Sequence, residues 1–313
     1  MTQKVYFNHD GGVDDIISLF LLLQMKDVEI VGIGVMGADS YLHPASQASR
    51  KVIDRFSYQQ NLSVAYSNSR PKHPFPTKWR MDAYSQNSLP ILNEAGTIKT
   101  PVAKKAAHLD LIDCLDKQTE KITLLFTGPL TDLARALEIK PSLTKKVERL
   151  IWMGGTFLKR GNVAEPDSDG TQEWNAFYDP DAVKTVFASD LKIEMVALES
   201  TNNVPLTQKN RLAWAKKRCH IGLDFIGNSY AFVPELSHFE TNSTYYLWDV
   251  LTTCYFYDPS LVKTSQVTCD VLTKHPSDGR TILTDNGRPV TLIHDVDNKR
   301  FFNLIEELAL NAD

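Results

Sequence analysis

The sequence predicts an α/β protein: one open, mostly parallel sheet with helices on both faces, a single domain over residues 1–313 with a helical elaboration in its later part. Three observations carry this. Short apolar, β-branched runs recur, and most are followed by helical periodicity, the pattern of βαβ units. No linker, low-complexity tract or internal repeat interrupts the alternation. A hydrophobic fraction of 42% over 313 residues suffices for one large core.

Taken in order, a strand at 4–8 leads into a helix at 14–25. Its run from Ile16 to Leu23 is apolar nearly all round, which reads as a buried helix, and it is far shorter than the roughly 20 residues that cross a bilayer. Strands at 29–35 and 62–66 enclose a helix at 44–55. A helix at 102–117 precedes a strand at 122–126, and a helix at 130–137 precedes one at 150–153. Asp179-Pro180 supplies an N-cap and a first-turn proline for a helix at 180–187, ahead of a strand at 193–198. After Leu206 come helical stretches rich in Trp and Lys, strands at 267–272, 281–283 and 290–294, and a last helix at about 298–310. Residues 67–83, with Pro71, Pro74 and Pro76, and residues 233–245 are irregular, as lid loops often are. Ligands of such sheets bind outside the carboxyl ends of the strands.

A net charge of -4 offers no footprint for nucleic acid or anionic membrane, so a small, neutral ligand is expected. Cys114, Cys219, Cys254 and Cys269 lack C-x-x-C spacing and read as reduced thiols. With no signal-peptide pattern near Met1, a cytoplasmic protein is expected. No P-loop, Gly-x-Ser-x-Gly elbow, zinc-ligand spacing or complete dinucleotide fingerprint is present. Two residues after Asp10 stands Gly12, which removes the Asp-x-Asp of aspartyl-phosphate phosphatases.

The chemistry concentrates in Asn8-His9-Asp10-Gly11-Gly12-Val13-Asp14-Asp15, three carboxylates at a strand-to-helix junction. Such anions repel unless something positive sits among them. First-turn N–H groups supply part of that charge, and a hard divalent cation such as Ca²⁺, which takes oxygen ligands in irregular geometry, would supply the rest. An acidic helix start with an N-cap is the alternative reading.

Further motifs follow: Phe126-Thr127-Gly128-Pro129-Leu130-Thr131, Met153-Gly154-Gly155, Gly161-Asn162-Val163, Asp169-Gly170-Thr171-Gln172-Glu173-Trp174-Asn175 and Trp248-Asp249. In this order they resemble the nucleoside hydrolase family over nearly the whole chain. The segment Pro74-Phe75-Pro76-Thr77-Lys78-Trp79-Arg80 adds likeness to its purine-specific, inosine-adenosine-guanosine branch. The resemblance implies a Rossmann-like fold, a homodimer or homotetramer, and calcium-dependent hydrolysis of the N-glycosidic bond of purine ribonucleosides. It implies Ca²⁺ ligation by Asp10, Asp15, Asp249 and the Thr127 carbonyl, with Asp10 as general base. Asp14, Asn175 and Asp249 would hold the 2′- and 3′-hydroxyls, and Asn162 and Glu173 the 5′-hydroxyl. The implied catalytic set is Asp10, Asn162, Trp79 and Trp248, and Asp39, Met153 and Tyr245 join the substrate contacts.

The purine base would stack between Trp79 and Trp248, each of which could also be ordinary core. Trp248 stands where the less selective branch has a histidine general acid, so a simple histidine acid is excluded there. Asp39 reads either as a ribose contact and proton relay or as a plain loop acid. Tyr245 and Tyr246 read either as closing over the base or as solvated, and His238 is a further loop candidate. A calcium-stabilised nucleoside-binding protein is the rival reading, disfavoured because binding alone needs no water-activating carboxylate.

Overall fold

A computed structural model describes residues 2–59, 61–77, 80–231 and 245–313. Among the described residues nine strands form one sheet: β1 (Gln3–His9), β2 (Val28–Val35), β3 (Val64–Tyr66), β4 (Ile122–Phe126), β5 (Val147–Met153), β6 (Ile193–Val196), β7 (Lys263–Val271), β8 (Thr281–Leu283) and β9 (Arg288–His294). Their order is β3-β2-β1-β4-β5-β6-β9-β7-β8. Every pairing from β3 to β9 is parallel, and β7 then runs antiparallel to both β9 and β8. The helices are α1 (Val13–Gln24), α2 (Leu42–Phe56), α3 (Asp82–Asn87), α4 (Ala107–Asp116), α5 (Thr131–Ile139), α6 (Trp174–Tyr178), α7 (Pro180–Phe187), α8 (Leu198–Thr201), α9 (Gln208–Lys216), α10 (Ile221–Ala231), α11 (Trp248–Tyr257) and α12 (Asn298–Leu310). None of the described helices is long and apolar enough to cross a membrane.

Alternation along the parallel strands builds two cores. Val5 and Phe7 of β1 face a layer with α1, α2 and α10 to α12, while Tyr6 between them faces α4, α5 and α7. Strands buried on both faces read as continuous apolar runs, which is why β4 is Ile-Thr-Leu-Leu-Phe and wholly buried. Asp179 caps α7 by accepting from the Ala182 N–H at 3.1 Å, with Pro180 in the first turn.

The structure departs from the expected boundaries where backbone pairing competes with helical periodicity. The helix expected from residue 102 begins at Ala107. Val102 instead bridges Val64, and the Val64 N–H donates to the Pro101 carbonyl, so this segment extends the edge of β3. β7 starts at Lys263, four residues early, because β9 pairs with it along its length. The irregular stretch 67–83 yields to α3 at Asp82, and the short α6 and α8 were not expected.

Candidate active site

The chain reverses direction across the sheet between β1 and β4, and the crevice outside their carboxyl ends is where such sheets bind ligands. A cleft of about 320 Å³ opens there, within the range of small-molecule sites. Asp10 follows β1, Asp39 follows β2, Thr127 follows β4 and Met153 ends β5. Asn162, Glu173 and Asn175 enter from the β5–α7 connection, and Trp248 and Asp249 open α11. All of them line the cleft, together with Asp14 and Tyr245. Asp15 lies fully buried just outside its surface.

Gly11 makes the turn possible: its φ of +86° is left-handed, and a Cβ there would stand 2.3 Å from that of Ala45. The tight turn brings Asp10, Asp14 and Asp15 together with Asp249. Three of these acids, Asp10, Asp14 and Asp15, are held by neutral donors. The Asp39 N–H donates to Asp10 Oδ2 at 3.1 Å. Asp14 accepts from the Asp249 N–H at 3.0 Å and the Tyr245 hydroxyl at 2.9 Å. Asp15 accepts from the Gly12 N–H at 2.8 Å and the Thr127 hydroxyl at 2.5 Å. On the opposite wall Glu173 caps α6, accepting from the N–H groups of Gly155 (2.8 Å), Asn175 (3.0 Å) and Ala176 (3.1 Å). The Asn175 amide donates to the carbonyls of Thr127 (2.9 Å) and Met153 (3.1 Å), tying α6 to β4 and β5. Asn162 Oδ1 accepts from the Trp174 N–H at 3.0 Å.

The electrostatics follow from this crowding. Burial first, then the charges of Asp15 and Asp39, raise Asp10 well above the usual carboxylate range. Burial and the charges of Asp14, Asp15 and Asp10 do the same to Asp249, while burial raises Asp14 and lifts Asp15 to about 6. Burial lifts Glu173 to about 7 against the pull of its N–H donors. No described cleft-lining residue is basic. Among the described residues no three acidic, His or Cys side chains are disposed to hold a metal as they stand; the acids are paired instead, Asp10 with Asp15 and Asp14 with Asp249. Carboxylates so paired need a proton or a cation between them. The donor type nevertheless fits Ca²⁺: four buried carboxylates are hard oxygen ligands, and Thr127 lines the same cleft.

Some sequence expectations resolve differently. Tyr245 is 7% exposed, with its hydroxyl on Asp14 and its ring edge-on to Trp248 at 4.8 Å, so it is a wall of the site and not a solvated aromatic. Tyr246 packs on the same Trp248 ring at 5.8 Å. Trp248 is half-buried at the cleft and not simply core. Trp79 and His238 lie outside the described residues. Sequence reasoning missed Asp82 and Tyr178 and gave Phe75 and Trp174 no role, yet all four line the cleft. Tyr178, three residues after Asn175, shares the cleft side of α6, a spacing that could have found it. Asp82 carried no signal.

The family model for the inosine-uridine preferring nucleoside hydrolases matches residues 5–303. The chain belongs to this family. It is 54% identical to an inosine-uridine preferring nucleoside hydrolase of Bacillus anthracis, whose structure superposes with a TM-score of 0.95 over 99% of this chain and 100% of that one. It is 26% identical over 275 residues to the inosine-uridine preferring nucleoside hydrolase of Leishmania major, covering 87% of this chain and 84% of that protein. The probable uridine nucleosidase 2 of Arabidopsis thaliana is 26% identical over 288 residues, 91% of this chain and 86% of that protein. This nucleoside hydrolase therefore acts on ribonucleosides, and the acid-lined cleft at the β1 and β4 ends is its candidate active site.

Proposed function

We propose that this nucleoside hydrolase is calcium-dependent and prefers purine ribonucleosides, releasing the free base and ribose. The observation that carries the reading is the composition of the cleft lining: carboxylates with no basic residue among the described lining, interleaved with the aromatic rings of Phe75, Trp174, Tyr178, Tyr245, Tyr246 and Trp248. Cleaving an N-glycosidic bond develops positive charge at the anomeric carbon, and Asp10, Asp14 and Asp249 stabilise that charge. Asp10 accepts the proton of the attacking water. Asp14, Asn175 and Asp249 grip the 2′- and 3′-hydroxyls, and Asn162 and Glu173 the 5′-hydroxyl. Held at both ends, the ribose is flattened toward the transition state, which favours ribonucleosides over deoxyribonucleosides. Asp10, Asp15, Asp249 and the Thr127 carbonyl would hold Ca²⁺, which when bound lowers the pKa of water and neutralises the acids.

Trp248, braced by Tyr245 and Tyr246, supplies one face for the base, with Phe75 and Trp174 also on the cleft. An aromatic–base stack is worth roughly 1–3 kcal/mol and favours the larger, bicyclic base. We place Trp79 on the other face from the resemblance. The four cysteines are unpaired, which supports a reducing, cytoplasmic setting, and the homodimer or homotetramer of the resemblance is extended to this chain.

The test is a panel of inosine, adenosine, guanosine, uridine and cytidine, run with metal analysis before and after chelation. Purines should exceed pyrimidines in kcat/KM by about tenfold or more, one stack's worth. Equal rates on uridine and inosine would remove the purine preference, a live outcome given the uridine names of several relatives. Full activity with no bound metal would remove the calcium reading.

A further inference from the structure

Tyr178 stands at the last turn of α6, the short helix whose start carries Glu173, Trp174 and Asn175. It is 1% exposed and yet lines the cleft, so its ring fills the wall while one edge meets the substrate space. Phe75 and Trp174 fix the ring, with centroids at 5.8 and 5.4 Å. Its hydroxyl reaches across to the opposite wall and donates to Asp39 Oδ1 at 3.4 Å.

Asp39 is itself constrained. Its Oδ2 is wedged against the β1–α1 turn, where a Cβ added to Gly12 would come within 2.5 Å of it. Its backbone N–H donates to Asp10 Oδ2 at 3.1 Å. A chain of contacts thus runs from α6, which carries Glu173 and Asn175, through the phenol and Asp39 to Asp10.

We infer that Tyr178 is a positioning residue for the reaction: by holding the Asp39 carboxylate it fixes the N–H that aims Asp10. The inference rests on the reading of Asp10 as the water-activating carboxylate. A 3.4 Å contact is long for a hydroxyl donor, and on this inference it tightens in the substrate complex, as catalytic hydrogen bonds that are long without substrate do. Tyr178 then acts on the rate of the bound complex and not on ribose binding.

The experiment is a double-mutant cycle of Tyr178→Phe and Asp39→Asn on inosine, with unfolding midpoints measured for each protein. Phe keeps the ring packing and removes only the hydroxyl. Tyr178→Phe should lower kcat about tenfold or more, the size of one hydrogen bond to a charged acceptor. KM should stay within about threefold and the midpoint should not move, as for a contact made in full only in the bound complex. In the Asp39→Asn background the same change should cost less than about twofold, because the partner is already altered. A kcat within about threefold of the parent, or an equal loss in both backgrounds, would overturn the inference and leave Tyr178 as wall packing. Asp10→Asn tests the underlying reading separately, since the Tyr178–Asp39 coupling is measurable whether or not Asp10 is the base.

Discussion

Replacing Asp10 with Asn should move activity and stability in opposite directions. The amide keeps the shape of the carboxylate and can still accept the Asp39 N–H, now 3.1 Å from Oδ2, so the turn at Gly11 and Gly12 survives. What goes is a negative charge disfavoured by burial and by Asp15 and Asp39. A carboxylate whose folded pKa is raised stabilises the fold at low pH and loses that contribution as pH rises through the folded value. An Asn stays neutral throughout, so in chelated protein at pH 8 the variant should be the more stable. Each unit by which ionisation is disfavoured is worth about 1.4 kcal/mol, and each kcal/mol moves the midpoint by roughly 2 °C at this chain length. A higher midpoint by scanning calorimetry is expected. Turnover should meanwhile fall by about 10²–10⁴, the usual contribution of a general base. Activity within tenfold of the parent would take Asp10 out of the reaction, and a lower midpoint with lost activity would mean a collapsed turn.

Two further outcomes follow from the same site. Burial lifts Asp15 from its ordinary 3.8 to about 6, whereas buried His9, lowered to about 3, pulls stability in the opposite sense. The difference in midpoint between calcium-loaded and chelated protein cancels His9, and it should widen as pH rises from about 5 to 8, because a cation competes with the protons Asp15 otherwise keeps; a difference that is flat or shrinks over that range counts against calcium at these acids. Asn175→Ala should lower the midpoint by the equivalent of about 1–3 kcal/mol and weaken calcium binding in titration calorimetry, since the Thr127 and Met153 carbonyls both lose their donor. Unchanged affinity would separate the Thr127 carbonyl from the metal.

The parallel sheet was legible because its strands are buried on both faces and read as unbroken apolar runs, and the site because acids sit just past those strands. Less legible were features set by contacts remote in sequence. Val102 belongs to a helical pattern, but its backbone finds Val64, 38 residues earlier, and pairing wins over periodicity. Tyr245 read as a loop aromatic because nothing local shows that its hydroxyl meets Asp14, on the far side of the chain order. Asp82 reaches the cleft only because α3 packs on α2, a tertiary contact with no local signature.

The way these acids are held bears on why the site works. Asp10, Asp14, Asp15 and Glu173 are all fastened by backbone N–H groups or neutral hydroxyls, with no basic side chain on the described cleft lining. An arginine partner would hold each carboxylate more firmly, but it would also neutralise the charge that the reacting sugar must feel. Neutral donors fix direction without cancelling charge. The cost is visible in the raised pKa values, which tell of ionised forms that burial disfavours. A cation among the acids, and a cationic anomeric carbon brought against them, would each relieve that cost. On the proposed reading, the same destabilised cluster would bind a cation and favour the transition state over the neutral ground state, which is the differential binding that catalysis requires.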